Sequence, residues 1–267
     1  MVSNYLESIS EAHRKIARED GRNVDELIER ALKSRSPLGF KDTLLGARKT
    51  GLRLIAEIKR ASPSKGLIAP DLVPEAMAGL YARGGAACIS VLTDSEFFQG
   101  STNDLERVRA SVGLPILRKD FTVCVADVCD ARIMGADAVL MIVTILSRTE
   151  LETLLGTASS LGIDALVEVH NAKELDIALA CGAELIGVNQ RNLETFAIDH
   201  QVGEQLIGKI PEHVAAVGES GIANGQDAER LAKVGYDAIL VGEAIVTAVD
   251  PVVAVRDLQG YEIGVRG

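Results

Sequence analysis

One pattern recurs through most of this 267-residue chain: a helix-compatible stretch closes with glycine, and a short apolar run follows. It appears over Arg83–Leu92 with Gly84 and Gly85, over Met134–Val143 with Gly135, over Cys181–Asn189 with Gly182 and over Val234–Gly242 with Gly235. Glycine suits a helix C-terminus because it takes the left-handed conformation without a Cβ clash. Shorter runs at Leu114–Lys119, Ala165–Val169 and Val214–Gly218, with Leu52–Lys59 before them, bring the strand candidates to eight. Each is separated from the next by enough chain for a helix. Eight alternating β and α units predict a closed (β/α)8 TIM barrel, whose typical length is about 250 residues. An open doubly wound sheet also alternates, but it usually offers fewer strands, and no GxGxxG follows the first run.

The chain is read as one barrel domain over residues 1–267, with residues 1–53 as a helical extension packed on it. Tyr5, Leu6, Ile9 and Ile16, then Val24, Leu27, Ile28, Ala31 and Leu32, recur near helical spacing. They predict two helices joined by a turn.

Composition excludes several roles. The net charge of −10 argues against nucleic acid as a partner. No stretch approaches the roughly 20 apolar residues of a membrane span, and the polar N-terminus lacks the apolar segment of a secretory signal. Cys88, Cys124, Cys129 and Cys181 form no CxxC pair, which points to small packed residues and a reducing cytoplasm rather than to metal or disulfides.

Active sites of such barrels lie at the C-terminal ends of the strands. Unusual polar residues gather there: Glu57 and Lys59, Thr93 and Asp94, Arg118 to Asp120, Glu168 and His170, Asn189 and Arg191, Glu219 and Ser220, and Glu243. Glu57 and Lys59 are two residues apart, so an extended chain points both to one side. Salt bridges and caps explain one or two such residues, not acids and lysines at so many strand ends. Gly221 and Gly242 open the last two loops, where barrels of this kind bind phosphate through backbone N–H groups. A phosphorylated small molecule is therefore the expected partner. Lys59 and Lys119 are expected to sit together, each lowering the other's pKa for proton donation, with Glu168 as a base. His170, next to the site, reads as structural.

Six blocks carry a resemblance to a known family. They are Glu57-Ile58-Lys59-Arg60-Ala61-Ser62-Pro63-Ser64-Lys65-Gly66, Phe97-Phe98-Gln99-Gly100-Ser101, Leu117-Arg118-Lys119-Asp120-Phe121, Leu166-Val167-Glu168-Val169-His170, Gly187 to Leu193, and Glu219-Ser220-Gly221-Ile222. Together, and in this order, they resemble the indole-3-glycerol phosphate synthase signature from about Phe40 to Val246. The resemblance implies ring closure of 1-(2-carboxyphenylamino)-1-deoxyribulose 5-phosphate, with loss of carbon dioxide and water, in tryptophan biosynthesis. It implies no cofactor and no metal. It implies Lys119 as general acid, Glu168 as the acid–base group of dehydration, and Lys59 holding substrate and taking part in proton transfer. Glu57, Glu219 and Asn189 would organise the reacting region. Ser62 and Arg191 would face the substrate carboxylate, and Phe98 and Phe121 its ring. Ser220, Gly221, Gly242 and Glu243 would border the phosphate, and the N-terminal helices would lie across the mouth of the site. Two departures from the family pattern, Gln190 and Thr122–Asp127, flank these positions. A monomer or weak homodimer in the cytoplasm is the expected state. Two competing readings stay open: another phosphate-binding barrel such as a phosphoribosyl anthranilate isomerase, and a catalytically silent barrel that binds a phosphorylated ligand.

Overall fold

A computed structural model describes residues 5–46, 50–193 and 195–266; residues 1–4 and 47–49 of the expected extension lie outside the described residues. Eight parallel strands close into a barrel: β1 (Arg53–Ile58), β2 (Cys88–Leu92), β3 (Ile116–Lys119), β4 (Ala138–Ile142), β5 (Asp164–Val169), β6 (Leu185–Asn189), β7 (Ala215–Glu219) and β8 (Ala238–Val241). Neighbours in sequence pair in space, and β8 closes on β1 with Leu54 opposite Ile239. The four repeat glycines Gly85, Gly135, Gly182 and Gly235 all have φ between 84° and 105°, so an L side chain at any of them would be strained. The following helices start on side chains that accept backbone N–H groups, among them Ser101, Ser147, Asn171 and Asn224.

The interior of the barrel is layered. Ile55, Leu117, Leu166 and Val217 point inward from the odd strands and are fully buried. Two residues further along the same strands stand Glu57, Lys119, Glu168 and Glu219. The stagger of the ladder, with Glu57 opposite Ser90, Leu92 opposite Lys119, Ile142 opposite Glu168 and Asn189 opposite Glu219, brings these four side chains to one level. The position normally filled by branched aliphatic residues is thus a charged layer.

The N-terminal segment holds three helices rather than two: α1 (Tyr5–Glu19), α2 (Val24–Lys33) and α3 (Phe40–Leu45). At six residues, α3 is too short to show a helical period. Its Phe40 and Leu44 are fully buried with the barrel interior. Around it, the Leu38 N–H donates to Asp137 and the Lys41 N–H to Asp164, acids just ahead of β4 and at the start of β5. This seals the N-terminal end of the barrel. At the opposite end α1 lays Leu6 and Ile9 over the strand termini. Between them α2 packs on α4 (Val125–Ile133). No described helix is long and apolar enough to cross a membrane.

Candidate active site

A cavity of about 740 Å3 opens at the C-terminal ends of the strands. The charged layer forms its floor. Lys119 Nζ lies 3.2 Å from Glu168 Oε2 and 3.7 Å from Glu219 Oε2. Lys59, the first residue beyond β1, sends Nζ to Glu57 Oε1 at 2.6 Å. Asn189 donates its amide to Glu168 Oε1 at 3.1 Å and accepts the Arg191 N–H at 3.0 Å, so it ties the floor to the next loop.

The electrostatics correct one expectation. Lys119 is not a cation weakened by Lys59. Burial disfavours its charge, but Glu168, Glu219 and Glu57 outweigh burial and raise its pKa above the ordinary value. Lys119 therefore carries its charge at neutral pH. Glu168 and Glu219 share this one ammonium and divide into two states. For Glu168, burial is overcome by Lys119, by His170 and by the Asn189 hydrogen bond, and its pKa falls below the carboxylate range. For Glu219, burial and the nearby Glu168 charge win over Lys119 and push it up to about 8. Glu219 Oε1, buried and without a hydrogen-bond partner among the described residues, fits a neutral carboxyl.

Two glycines make room for this floor. A Cβ on Gly187 would stand 2.0 Å from Glu219 Oε1, and one on Gly242 would stand 2.5 Å from Glu57 Oε1. Gly242 is thus needed for the carboxylate beneath it as well as for an open backbone at the β8 loop.

The walls carry the other expected residues. Phe98 and Phe121 face each other with ring centroids 6.2 Å apart, and His13 of α1 stacks on Phe121 at 5.1 Å. Ser62 lies in a two-residue hairpin with Gly66 after β1, and Arg191 is anchored by its bond to the Phe196 carbonyl at 3.1 Å. Ser220 and Gly221 both take positive φ, at 65° and 71°. A Cβ on Gly221 would strike Ile198 and His200. Glu243 starts the short helix Glu243–Val246 and pairs with Lys65 at 3.4 Å, which links the β1 and β8 loops. All fourteen residues to which the resemblance assigns a role line this cavity, with Tyr5, Leu6 and Ile9 of α1 above them, whereas Thr93, Asp94, Arg118 and His170 stand outside its lining.

The sequence profile described as indole-3-glycerol phosphate synthase matches residues 6–258. The chain belongs to the indole-3-glycerol phosphate synthase family. It is 46% identical over 236 residues to "Indole-3-glycerol phosphate synthase 1" of Streptomyces coelicolor, covering 88% of this chain and 87% of that one. With "Indole-3-glycerol phosphate synthase" of Mycolicibacterium vanbaalenii it shares 45% over 258 residues, or 96% and 94% of the two chains. Among solved structures, N-acetylmannosamine-6-phosphate 2-epimerase from Clostridium perfringens superposes with a TM-score of 0.60 at 15% identity, covering 75% of this chain and 90% of that one. That likeness shows the shared barrel alone.

Against the family pattern, the two departures find different places. Gln190 is buried and donates to the Ser220 carbonyl at 2.8 Å, so it holds the left-handed turn after β7. In Thr122–Asp127, Asp127 accepts the N–H groups of Val123 and Cys124 and caps the start of α4. Sequence reasoning also missed His13. Its Nε2 sits 3.0 Å from Asp94 and 3.8 Å from Asp120, and these three could gather a cation. Both acids already accept protein hydrogen bonds: Asp94 from the Phe97 and Phe98 N–H groups, and Asp120 from Thr93, Arg118 and the Phe121 N–H. The trio therefore works as the latch that holds α1. Nothing in the local sequence pairs His13 with acids 81 and 107 residues away.

Proposed function

We propose that this cavity performs the reaction of its family, the decarboxylating and dehydrating closure of 1-(2-carboxyphenylamino)-1-deoxyribulose 5-phosphate to indole-3-glycerol phosphate. The observation that carries the reading is Lys119 charged between Glu168 and Glu219 on the cavity floor. A donor there can protonate the ketone oxygen as the ring carbon attacks, which is the step that needs an acid. Glu168, kept ionised, serves the proton transfers of dehydration, and Glu219 and Glu57 position the two lysines. Lys59 steadies the anionic groups of the substrate. Asn189 orients Glu168; Ser62 and Arg191 face the carboxylate; Phe98 and Phe121 pack on the aromatic ring. Ser220, Gly221, Gly242 and the backbone of Glu243 border the phosphate. Holding both ends of a flexible substrate reduces the entropy lost on closure.

The same reading takes the chain as one domain with residues 1–53 as its extension, acting in the cytoplasm as a monomer or weak homodimer. The acidic net charge supports a small-molecule rather than a nucleic-acid partner. The test mixes purified protein with the carboxyphenylamino deoxyribulose phosphate and follows indole fluorescence, with EDTA present and no metal added. Turnover supports both the reaction and its independence from metal. No fluorescence gain from folded protein, with or without divalent metal, rejects the reaction.

A further inference from the structure

The closing reaction consumes a proton. In closure a C–C bond forms between the carboxylate-bearing ring carbon and the ketone carbon, and the carbonyl electron pair goes to oxygen, which takes the Lys119 proton. The C–CO2 bond then breaks, and its electron pair returns to the ring and neutralises the nitrogen. Dehydration breaks the C–O bond with one proton delivered to the leaving hydroxyl and one taken from the adjacent methylene, a neutral exchange for the protein. Substrate carboxylate plus one proton thus gives product, carbon dioxide and water, and Lys119 ends each turnover one proton short.

A continuous line of titratable groups runs from Lys119 to the outside of the barrel. Lys119 Nζ is 3.2 Å from Glu168 Oε2, Glu168 Oε1 is 3.3 Å from His170 Nε2, and His170 Nδ1 is 3.0 Å from Glu174 Oε2. Glu174 lies on the helix Ala172–Ala180, behind the strand ends. It is fixed by the His170 N–H and the Asn171 amide, and Thr144 Oγ1 bridges it to the His170 ring. His170 Nε2 is buried and makes no aligned hydrogen bond among the described residues, yet it faces Glu168.

We infer that Glu174, His170 and Glu168 form a proton relay that recharges Lys119 from solvent by a route separate from the cavity mouth. The inference rests on the ring-closing reaction proposed above. A bound product beneath Tyr5, Leu6 and Ile9 obstructs the mouth, and a rear route lets recharging proceed before product leaves. The relay is loaded: burial lowers the His170 pKa, but Glu168 and Glu174 outweigh it and raise the ring to about 9. These two carboxylates face His170 directly, and Glu219 senses its charge from across the barrel. The competing view makes His170 a strut and Glu174 a helix cap.

His170→Asn keeps an amide able to bond Glu174 and Thr144 but removes Nε2. Its kcat should fall by roughly 10²-fold, the low end of what a positioned proton-transfer group supplies. Because recharging follows the irreversible loss of carbon dioxide, kcat/KM should stay within about twofold of the parent. Added imidazole should restore kcat in a saturable way. Glu174→Gln, which leaves the ring in place, should show the same split to a smaller degree. Parental kcat in both variants overturns the relay, as does a loss shared equally by kcat/KM and insensitive to imidazole in a folded variant. A parent protein that fails to convert the substrate overturns the reaction itself, and the two failures are thereby distinguished.

Discussion

Two layers of side chains, one pleat apart on the same four strands, have opposite designs. Ile55, Leu117, Leu166 and Val217 are aliphatic and dry; Glu57, Lys119, Glu168 and Glu219 are titratable and almost as buried. The lower layer gains free energy from burial, about 25 cal/mol for each Å2 of apolar surface removed from water. The upper one gives it up, because desolvating two carboxylates and an ammonium costs several kcal/mol per ion before pairing offsets it, and the third acid, Glu219, is held neutral instead. The contrast shows where the strand stops serving the fold and starts serving chemistry. Two consecutive inward positions mark the change.

The largest expected effect comes from removing the single cation of the upper layer. Lys119→Ala should lower kcat by about 10²–10⁴-fold, the range for a lost general acid. It should leave KM near the parent value, because the β7 and β8 loops still hold the other end of the substrate. Lys59→Ala should differ by raising KM as well as lowering kcat. Steady-state kinetics on folded variants separates the two lysines. A Lys119→Ala kcat within about threefold of the parent, far short of a general-acid loss, would place the chemistry elsewhere.

The mirror experiment is Leu117→Ala, two residues earlier on β3. Leu117 is fully buried. Its truncation should cost about 2–5 kcal/mol of stability through lost burial and a cavity. In protein kept folded at low temperature, kcat should change far less than in Lys119→Ala. Denaturant titration beside the same assay checks the pair. Equal losses of kcat would mean that the two layers are not separable.

The sequence made this contrast legible in part. The spacing from Ile55 to Glu57, Leu117 to Lys119, Leu166 to Glu168 and Val217 to Glu219 reads directly as polar ends on apolar strands. Which charges then meet depends on the stagger of a closed barrel, and that is not a local property. Lys59 and Lys119 were expected as partners on residue type alone. The ladder instead sets Lys119 among carboxylates and leaves Lys59 to Glu57. His170 Nε2 facing Glu168, and Gln190 holding the Ser220 carbonyl, are likewise orientations that residue identity does not encode. The third helix escaped because its anchors, Asp137 and Asp164, are contributed by strands far along the chain.

A smaller, pH-dependent effect is expected at Glu219. Its carboxyl titrates near 4.5 when unperturbed and near 8 in the folded protein, chiefly through burial and the Glu168 charge. A raised folded value means stability that is fully present below about pH 4.5 and lost as pH climbs through about 8. Glu219→Gln keeps the neutral shape and cannot ionise. It should flatten the decline of melting temperature between pH 5 and pH 9, a relative gain on the order of a few kcal/mol at the alkaline end. Parallel slopes for parent and variant would show Glu219 ionised throughout, and the two acids flanking Lys119 would then be equivalent.

The smallest effect is expected above both layers, at His13. It bonds Asp94 at 3.0 Å and stacks on Phe121, so it holds α1 against the wall expected to receive the aromatic ring. Burial lowers its pKa, but the Asp94 hydrogen bond and the Asp120 charge raise it above the ordinary value. The ion pair is partly exposed and α1 has other anchors, among them Arg14 on Glu150 at 2.6 Å, so the latch is worth only about 1 kcal/mol. His13→Ala should accordingly raise KM by about fivefold and leave kcat and global stability near the parent values. Deleting the chain ahead of Pro37 removes all the α1 anchors and should raise KM much further while the barrel strands still form. A His13→Ala protein with unchanged KM would detach α1 from substrate binding; one with impaired kcat and normal KM would move His13 from the lid to the chemistry of the floor.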